Sequence, residues 1–479
     1  MLCKRGRRMC AMLLGVVAAS SVCLADAIAF PKISDVTVVQ DADETYKITY
    51  KLSQAPAIVT VDILTNALAG AGVSIGGENL REVWGDVSRI VGLDHDFSTP
   101  YDGVIHWVPY RTAFKDIDLD FAANSVKAAV TAWATNDPPD YVVMRLDMKE
   151  SDGNVAKLPR KFARGSGIRF HPNVESLPGG LLENLEYREN KMVLRRVPAA
   201  GVEWMLGSAT NAIDRQAAQE IPRLVMLTRD YYLGVFECTH KQRQYIYSDG
   251  SGRGSVGSHN GYKTLEEYNR TPVTGWSYKT VRGDNSDTAV LSEPTSGSQL
   301  GTLRSLTKID FDLPTNAEWE YACRAGLDGP TGNANIDIDW DVSQVCDRMA
   351  WTKVNSTNVV DGVPTSGPVA HVVGLKEPNA WGFYDMLGNA WEMVVDLRQT
   401  GQTLFDGFGG RNDVGYAEPI VDPVVMSQAE DEVPSDKTSR IRRGGGVSEG
   451  WTAFRNSVNW NLKFDDGWCG ARFRCPVAF

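Results

Sequence analysis

The sequence predicts two folded units, an all-β unit near the N-terminus and a loop-rich α+β unit in the C-terminal half. Polar and apolar residues alternate over Tyr46–Leu52 and Val59–Ile63, which is the period of half-buried strands. Residues 149–190 are rich in Gly, Pro, Asn and charge, a composition typical of a boundary between units. Leu313–Gly326 has the spacing and the terminal residues of an amphipathic helix among shorter strand-like runs.

The first 27 residues resemble a secretory signal peptide. A basic stretch at residues 4–8 precedes the apolar run Ala11–Ala19, and small residues allow cleavage after Ala25 or Ala27. A short membrane anchor is the alternative, but the run is shorter than the roughly 20 apolar residues that span a bilayer. We therefore expect a protein exported to the periplasm, the cell surface or the medium, with no membrane span after signal cleavage.

The charge and the histidine content of the chain limit the kinds of partner and metal centre that are expected. The chain of 479 residues carries a formal net charge of −11 and has a pI of about 5.2, whereas a nucleic-acid-binding surface would be basic. The 6 His residues form no cluster in the sequence, which disfavours an all-histidine metal centre. No nucleic-acid partner is expected.

Eight cysteines are present, and three of them lie in the signal segment. The other five are Cys238, Cys323, Cys346, Cys469 and Cys475. An exported protein can form disulfides, but an odd number leaves at least one thiol free or paired outside the chain. None of the five forms a CxxC pair, so neither a redox motif nor a zinc motif is indicated.

Residues 30–148 predict a small β-sandwich of immunoglobulin or fibronectin-III type without a disulfide. After the alternating runs near its start, Val104–Val108 and Tyr141–Leu146 are expected to be later strands. Ala122–Ala132 is compatible with one strand or a short helix. Nothing in this unit suggests chemistry.

The second unit, residues 191–479, begins with predicted strands at Met192–Val197, Val202–Ser208 and Tyr231–Thr239. In the predicted helix that follows, Thr315 is a good N-cap and Glu318 lies three positions later. This is the capping-box arrangement, in which each side chain satisfies a backbone N–H of the first turn.

The densest run of unusual residues is Pro378–Asp396. Asp385 and Glu392 are seven positions apart, with Gly388 and Ala390 between them. If this loop curls, two carboxylates and two backbone carbonyls converge, and such oxygen sets hold hard cations such as calcium. The alternative is a turn with a capping Asp and a solvated Glu, and the residues alone leave both interpretations open.

Six motifs of this chain resemble the formylglycine-generating enzyme (sulfatase-modifying factor) family and occur in the family's order. They are YLGVFECT, RTPVTGWS, LPTNAEWEYACRAG, PNAWGFYDMLGNAWE, RRGGG and GARFRC. The resemblance covers residues 191–479 and implies a C-type-lectin-like fold: a large α+β domain with long loops and little regular secondary structure.

The same resemblance implies where activity would reside. The family's enzymes oxidise a sulfatase cysteine to formylglycine with a copper-binding cysteine pair that follows a Gly-Gly-Ser motif. In this sequence Glu449 and Phe454 fall where the two thiols would lie, and Gly446 replaces the serine. Because soft thiolates hold copper(I), we expect no copper and no catalytic residue.

Two structural features are implied by position in the family's motifs. Asp385, Gly388, Ala390 and Glu392 match a family calcium site, which agrees with the ligand argument from the residues themselves. The pair Cys323 and Cys475 matches a family disulfide.

Two functions follow as hypotheses. The first is a non-catalytic binding or scaffold module that presents loops to a protein or glycan ligand, with Trp451, Trp460 and Trp468 as candidate groove residues. The second is an enzyme, either a formylglycine-generating oxidoreductase that uses other thiols or a different activity on the same fold. The missing cysteine pair favours the first hypothesis.

Overall fold

The computed structural model describes a large part of the chain. The described residues are 30–41, 45–67, 72–74, 80, 83–109, 121, 125–147, 168–212, 214–216, 220–247, 261–283, 293–307, 309–337, 341–397, 418–424, 440–450, 453–462 and 469–476. The predicted signal segment therefore lies outside them, as do Trp451 and Trp468.

The N-terminal unit consists of eight described strands. They are β1 (Lys32–Gln40), β2 (Tyr46–Ser53), β3 (Ala57–Thr65), β4 (Val73–Ser74), β5 (Val83–Gly85), β6 (Arg89–Val91), β7 (Tyr101–Trp107) and β8 (Lys127–Ala134). One antiparallel sheet has the order β1-β2-β7-β5, and in the other β3 pairs with β8 along one edge and with β4 and β6 along the opposite edge. The segment that was ambiguous between strand and helix thus contributes a strand.

The alternating residues of this unit share one core. Ile48, Tyr50 and Leu52 of β2 are buried in the same cluster as Val59 and Ile63 of β3. The period-two pattern therefore predicted correctly which side chains point inward. Two antiparallel sheets that face a common core agree with the predicted all-β unit.

The C-terminal unit contains the remaining described strands and helices. The strands are β9 (Tyr141–Arg145), β10 (Ile168–His171), β11 (Lys191–Val197), β12 (Val202–Leu206), β13 (Arg223–Leu227), β14 (Tyr231–Gly234), β15 (Thr357–Val360), β16 (Val363–Pro368), β17 (Glu392–Leu397), β18 (Ile420–Val421), β19 (Arg440–Arg443), β20 (Asn459–Leu462) and β21 (Arg474–Pro476). The helices are α1 (His240–Tyr247), α2 (Leu265–Asn269), α3 (Tyr278–Arg282), α4 (Gln299–Thr307), α5 (Asn316–Arg324), α6 (Ala334–Asp337) and α7 (Val342–Arg348), with 3-10 turns at Val174–Ser176 and Leu185–Arg188.

The boundary between the units differs from the predicted one. β9 was expected in the sandwich and β10 falls in the predicted linker, yet both join the sheet β10-β9-β11-β14-β21. The physical reason is that β9 is covered on both faces: Val142 and Met144 enter one core cluster, whereas Tyr141 and Val143 enter another. A short, continuously buried strand does not reveal its partner from its own sequence.

The predicted capped helix is confirmed. α5 begins after Thr315, whose side chain accepts a hydrogen bond from the Glu318 backbone N–H, and the Glu318 carboxylate accepts one from the Thr315 N–H. The helix ends at Arg324 and is followed by the C-cap Ala325, whose φ of 50° is left-handed. Trp319 and Cys323 are fully buried, so the helix docks by the apolar face that the spacing predicted.

The strand predicted at Tyr231–Thr239 is shorter than expected. It ends at Gly234, and the chain then turns inward so that Glu237 is fully buried. Asn389 and Ala390, which lie just before β17 of the sheet β17-β19-β20, donate hydrogen bonds to Glu237. These contacts bring distant motifs of the sequence to one place.

Candidate functional site

A buried charged cluster lies where the predicted calcium loop meets the core. It contains the carboxylates of Glu237, Asp385 and Glu392 and the guanidinium of Arg472, all at most 2% exposed. Glu237 follows β14, Glu392 begins β17, and Arg472 precedes β21. Three carboxylates face one guanidinium, so two negative charges stay uncompensated when every group is ionised.

Arg472 and Glu392 form the tightest pair of this cluster. Arg472 Nη2 donates to Glu392 Oε1 at 2.7 Å, and Nε donates to Oε2 at 3.0 Å. Glu392 Oε2 also accepts a hydrogen bond from Trp319 Nε1 at 2.8 Å. Both Glu392 oxygens are therefore engaged by protein donors, unlike the free ligand that the sequence predicted.

Asp385 has one oxygen satisfied and one without a partner. Its Oδ2 accepts a hydrogen bond from the Gly374 backbone N–H at 2.7 Å, while Oδ1 is buried with no hydrogen-bond partner. Burial is the main cause that raises the pKa of Asp385 to about 6, and the charge of Glu392 adds to it. A buried acceptor without a donor costs free energy, so this oxygen is the atom most suited to a cation.

Glu237 is a residue of the cluster that the sequence argument missed. Its Oε1 accepts from the Ala390 backbone N–H at 2.9 Å and its Oε2 from Asn389 Nδ2 at 2.8 Å. Burial, and then the charges of Asp385 and Glu392, raise its pKa well above the usual range. The available signal was an acidic residue inside an otherwise apolar motif, YLGVFECT.

The two backbone carbonyls that the sequence predicts as metal ligands, those of Gly388 and Ala390, belong to the turn just before β17. Gly388 has a φ of 80°, and a Cβ there would lie 2.4 Å from the Trp351 carbonyl oxygen, so the position requires glycine. The Gly388 N–H donates to the Gly444 carbonyl at 2.8 Å. The structure therefore brings the Gly388–Ala390 turn next to the RRGGG motif.

The oxygen atoms of this cluster fit the ligand requirements of a calcium ion only in part. Asp385 supplies a free oxygen and the cluster supplies uncompensated negative charge, whereas Glu392 is held by Arg472. Within the described ranges, no group of three or more His, Cys, Asp or Glu side chains is arranged to hold a metal ion. Any cation here would rely on Asp385 and on backbone carbonyls.

The loop after β19 contains the positions where the resemblance would place two thiols. Glu449 accepts a hydrogen bond from Trp391 Nε1 at 3.2 Å. Phe454 is 2% exposed, and its ring lies where a Cβ on Gly445 would approach within 2.7 Å. At both positions the side chain present, a carboxylate at Glu449 and a phenyl ring at Phe454, takes part in the packing of this loop.

Comparison with known proteins assigns the C-terminal unit. Residues 191–472 match the family profile "FGE-sulfatase: Sulfatase-modifying factor enzyme 1-like domain". That match covers more than half of the chain. The chain belongs to the sulfatase-modifying factor family. Membership accounts for the motif order and for the C-type-lectin-like fold expected of residues 191–479.

Individual relatives match over shorter stretches. The chain is 34% identical to the formylglycine-generating enzyme of Bos taurus and 33% identical to that of Mus musculus, each over 96 residues. The matched stretch is 18% of this chain, and it spans only 21% and 22% of the two relatives. Their activity therefore does not transfer with the match.

Solved structures show distant likeness. Treponema denticola variable protein 1 aligns with 20% identity and a TM-score of 0.38, covering 60% of this chain and 95% of that one. PvdO from Pseudomonas aeruginosa aligns with 18% identity and a TM-score of 0.40, covering 59% and 94%.

Among the described residues of this family member, the five cysteines beyond the predicted signal segment are buried and none forms a disulfide. The bridge expected between Cys323 and Cys475 is not formed, and the sheet explains why. Cys475 lies opposite Tyr232 in the β14–β21 register and enters the same core cluster as that residue. Cys323 packs with Tyr231 and Leu233, whose side chains alternate with Tyr232 and so point to the other face.

A cavity of about 210 Å³ lies elsewhere in the family domain. It is lined by residues that include Ser208, Arg324, Asp328 and Arg455. Arg455 pairs with the buried carboxylate of Glu220, at 2.8 Å from Nη1 to Oε2. Arg324 binds Glu320 at 2.7 Å. Both arginines are therefore already paired with carboxylates, so neither marks this cavity as a site for an anionic ligand.

No helix in the part of the chain that the structure describes is long and apolar enough to cross a membrane. The signal peptide itself lies outside the described residues and stays a prediction.

Proposed function

We propose that this chain is an exported, non-catalytic binding module of the sulfatase-modifying factor family, carried behind a sandwich of immunoglobulin or fibronectin-III type. The observation that supports this most strongly is the loop after β19. The positions of the copper-binding thiols are taken by Glu449, which is hydrogen-bonded to Trp391, and by the buried Phe454. Loops on a rigid frame are where recognition sites concentrate.

The physical argument is one of donor chemistry. Copper(I) is held by soft, deprotonated sulfur ligands, and neither a carboxylate nor a phenyl ring supplies them. Burial also raises the pKa of the Cys238 thiol, which disfavours the thiolate that would bind metal or act as a nucleophile. The family's oxidation therefore has no thiolate centre at its usual place.

A formylglycine-generating oxidoreductase is the alternative, and one observation favours it. Cys238 and Cys469 belong to the same buried core cluster, so two thiols outside the usual segment are gathered in one region. The names of the curated relatives point the same way. A structural role for two buried thiols is the simpler explanation.

An assay that follows the mass of a peptide distinguishes these two functions. The purified protein is incubated with copper, a reductant, oxygen and a sulfatase-derived peptide that contains cysteine. We expect no aldehyde above a control without protein. Conversion that is lost in Cys469→Ser or Cys238→Ser would overturn the non-catalytic assignment, whereas conversion that persists in both variants would indicate a contaminating enzyme.

We also propose that one calcium ion stiffens the loop at Pro378–Asp396. Asp385 Oδ1 is the free buried oxygen, and the carbonyls of Gly388 and Ala390 are the backbone donors that the sequence predicts. Glu392 would complete this set only by sharing its carboxylate with Arg472. A bound dication would offset the negative charge of the cluster, which supports a structural rather than a chemical role.

A further inference from the structure

Arg442 occupies an unusual position at the edge of the β17-β19-β20 sheet. Its guanidinium carbon lies 4.4 Å from the centroid of the Trp391 ring and 5.9 Å from that of Trp460. The two indoles are themselves 5.4 Å apart and inclined by 30°. Arg442 and Trp460 are register partners on β19 and β20, so cross-strand pairing fixes them side by side.

The half-buried Arg442 has no anionic partner among the described residues, and its Nε is buried without an acceptor. Arg440 Nε likewise lacks an acceptor, but Arg440 donates through Nη1 to the Val395 carbonyl at 2.8 Å, and Arg443 pairs with Glu320 at 2.9 Å. Trp460 Nε1 is also buried without an acceptor. Two adjacent groups that can only donate are thus left unsatisfied at one place.

We propose that Arg442 and Trp460 form a binding site for a single carboxylate of an acidic peptide. This inference rests on the proposed binding function and names the chemistry of its ligand. A carboxylate accepts two parallel hydrogen bonds from the planar guanidinium fork. The indoles of Trp391 and Trp460 supply flat apolar walls for the methylene groups that carry an Asp or Glu carboxylate.

A peptide is favoured over a polyanion by the charges around the site. The chain has a net charge of −11, so a sulfated glycan would meet repulsion over a long range. Glu449, bound to Trp391 Nε1 at 3.2 Å, places a further negative group beside the site. One carboxylate of a peptide matches the single charge of Arg442 and meets less of this repulsion than a polyanion does.

The proposal is tested with small probes by ligand-observed saturation-transfer NMR. The probe is capped glutamate, Ac-Glu-NH2, and its uncharged isostere is Ac-Gln-NH2. We expect the wild type to bind the glutamate probe roughly tenfold or more tightly, because a hydrogen bond to a charged group is worth more than a neutral one. Glucose 6-sulfate serves as the glycan probe and is expected to bind more weakly than Ac-Glu-NH2.

Three variants separate this site from general effects. Arg442→Gln should abolish the preference for the glutamate probe, and Arg442→Lys should keep part of it because the charge remains. Arg348→Gln is the matched control, since Arg348 is an arginine on the surface that already pairs with Glu377 at 2.6 Å, and the preference should persist there. If Arg442→Gln fails to fold, Trp460→Phe replaces it and should weaken binding through the lost N–H donor.

The proposal is overturned by equal binding of the two capped probes to the wild type, or by a preference that survives Arg442→Gln. Tighter binding of glucose 6-sulfate would assign the site to a glycan instead. This outcome is independent of the peptide-oxidation assay. The carboxylate site depends on Arg442, whereas the oxidation assay tests whether the chain has a working thiol centre.

Discussion

The substitution Asp385→Asn should change the stability of the protein in opposite directions with and without calcium. Asp385 is 2% exposed and its Oδ1 has no partner, while Oδ2 accepts from the Gly374 N–H. Asparagine keeps an oxygen for the Gly374 bond and removes the charge. The variant therefore isolates the free energy of ionising this buried group.

The magnitude follows from proton linkage. The pKa of Asp385 rises from 3.8 to about 6 on folding, and a shift of about 2 units corresponds to about 3 kcal/mol. Because the folded state holds the proton more tightly, stability is highest below the unfolded pKa and falls as pH rises through the folded pKa. In chelator at about pH 7, the variant should be more stable than the wild type by about 1–3 kcal/mol.

Calcium should reverse this order. A ligand that binds only the folded state adds about 2.7 kcal/mol when its concentration is 100-fold above Kd. The wild type should gain this stabilisation, because its ionised carboxylate supplies a hard oxygen ligand. The variant has lost the charge and should gain less.

The measurement is urea unfolding at about pH 4 and about pH 7, in chelator and in calcium, since linkage predicts different slopes with pH. Asp361→Asn is the matched control, because Asp361 also has a positive φ, of 51° against 55° for Asp385, but is exposed. The control should change little under every condition. A variant less stable than the wild type in chelator at neutral pH would refute the desolvation argument, and an unchanged difference in calcium would remove Asp385 as a ligand.

Two further outcomes are expected. Arg472→Met should destabilise the protein by about 3–5 kcal/mol in urea unfolding, because it leaves Glu392 buried without its counter-charge. Arg348→Met at an exposed pair should change stability far less, and similar losses in both variants would contradict this assignment of the buried pair. Cys323 and Cys475 should both alkylate in denaturant without prior reduction, as peptide mass mapping would show, and protection of both until reduction would restore the bridge implied by the family.

Local features could be predicted because their causes are local. The capping box at Thr315 depends on atoms within one turn of helix, and the alternation over Tyr46–Leu52 depends only on the geometry of a strand. The family of the C-terminal unit was also visible in the sequence, because six motifs keep their order along the chain. Asp385 was identified as a candidate calcium ligand by its spacing from Glu392 within one loop.

Tertiary packing decided what the sequence left open or misplaced. β9 was assigned to the wrong unit because a strand buried on both faces has no period that identifies its partner. The Cys323–Cys475 pairing depended on which face of the β14 sheet each thiol enters, and that is set by the strand register.

The sequence by itself determined the all-β unit and the family domain, since each is read from neighbouring residues or motif order. The expectation that Glu449 and Phe454 stand in place of the thiol pair rests on the same family resemblance. Only the tertiary structure decided how charges are matched. It paired Arg472 with Glu392, added Glu237 beside Asp385, and placed Arg442 against two indoles with no anionic partner among the described residues. Electrostatic energy in a protein interior depends on distance and desolvation, and these quantities exist only after residues far apart in the chain have packed together.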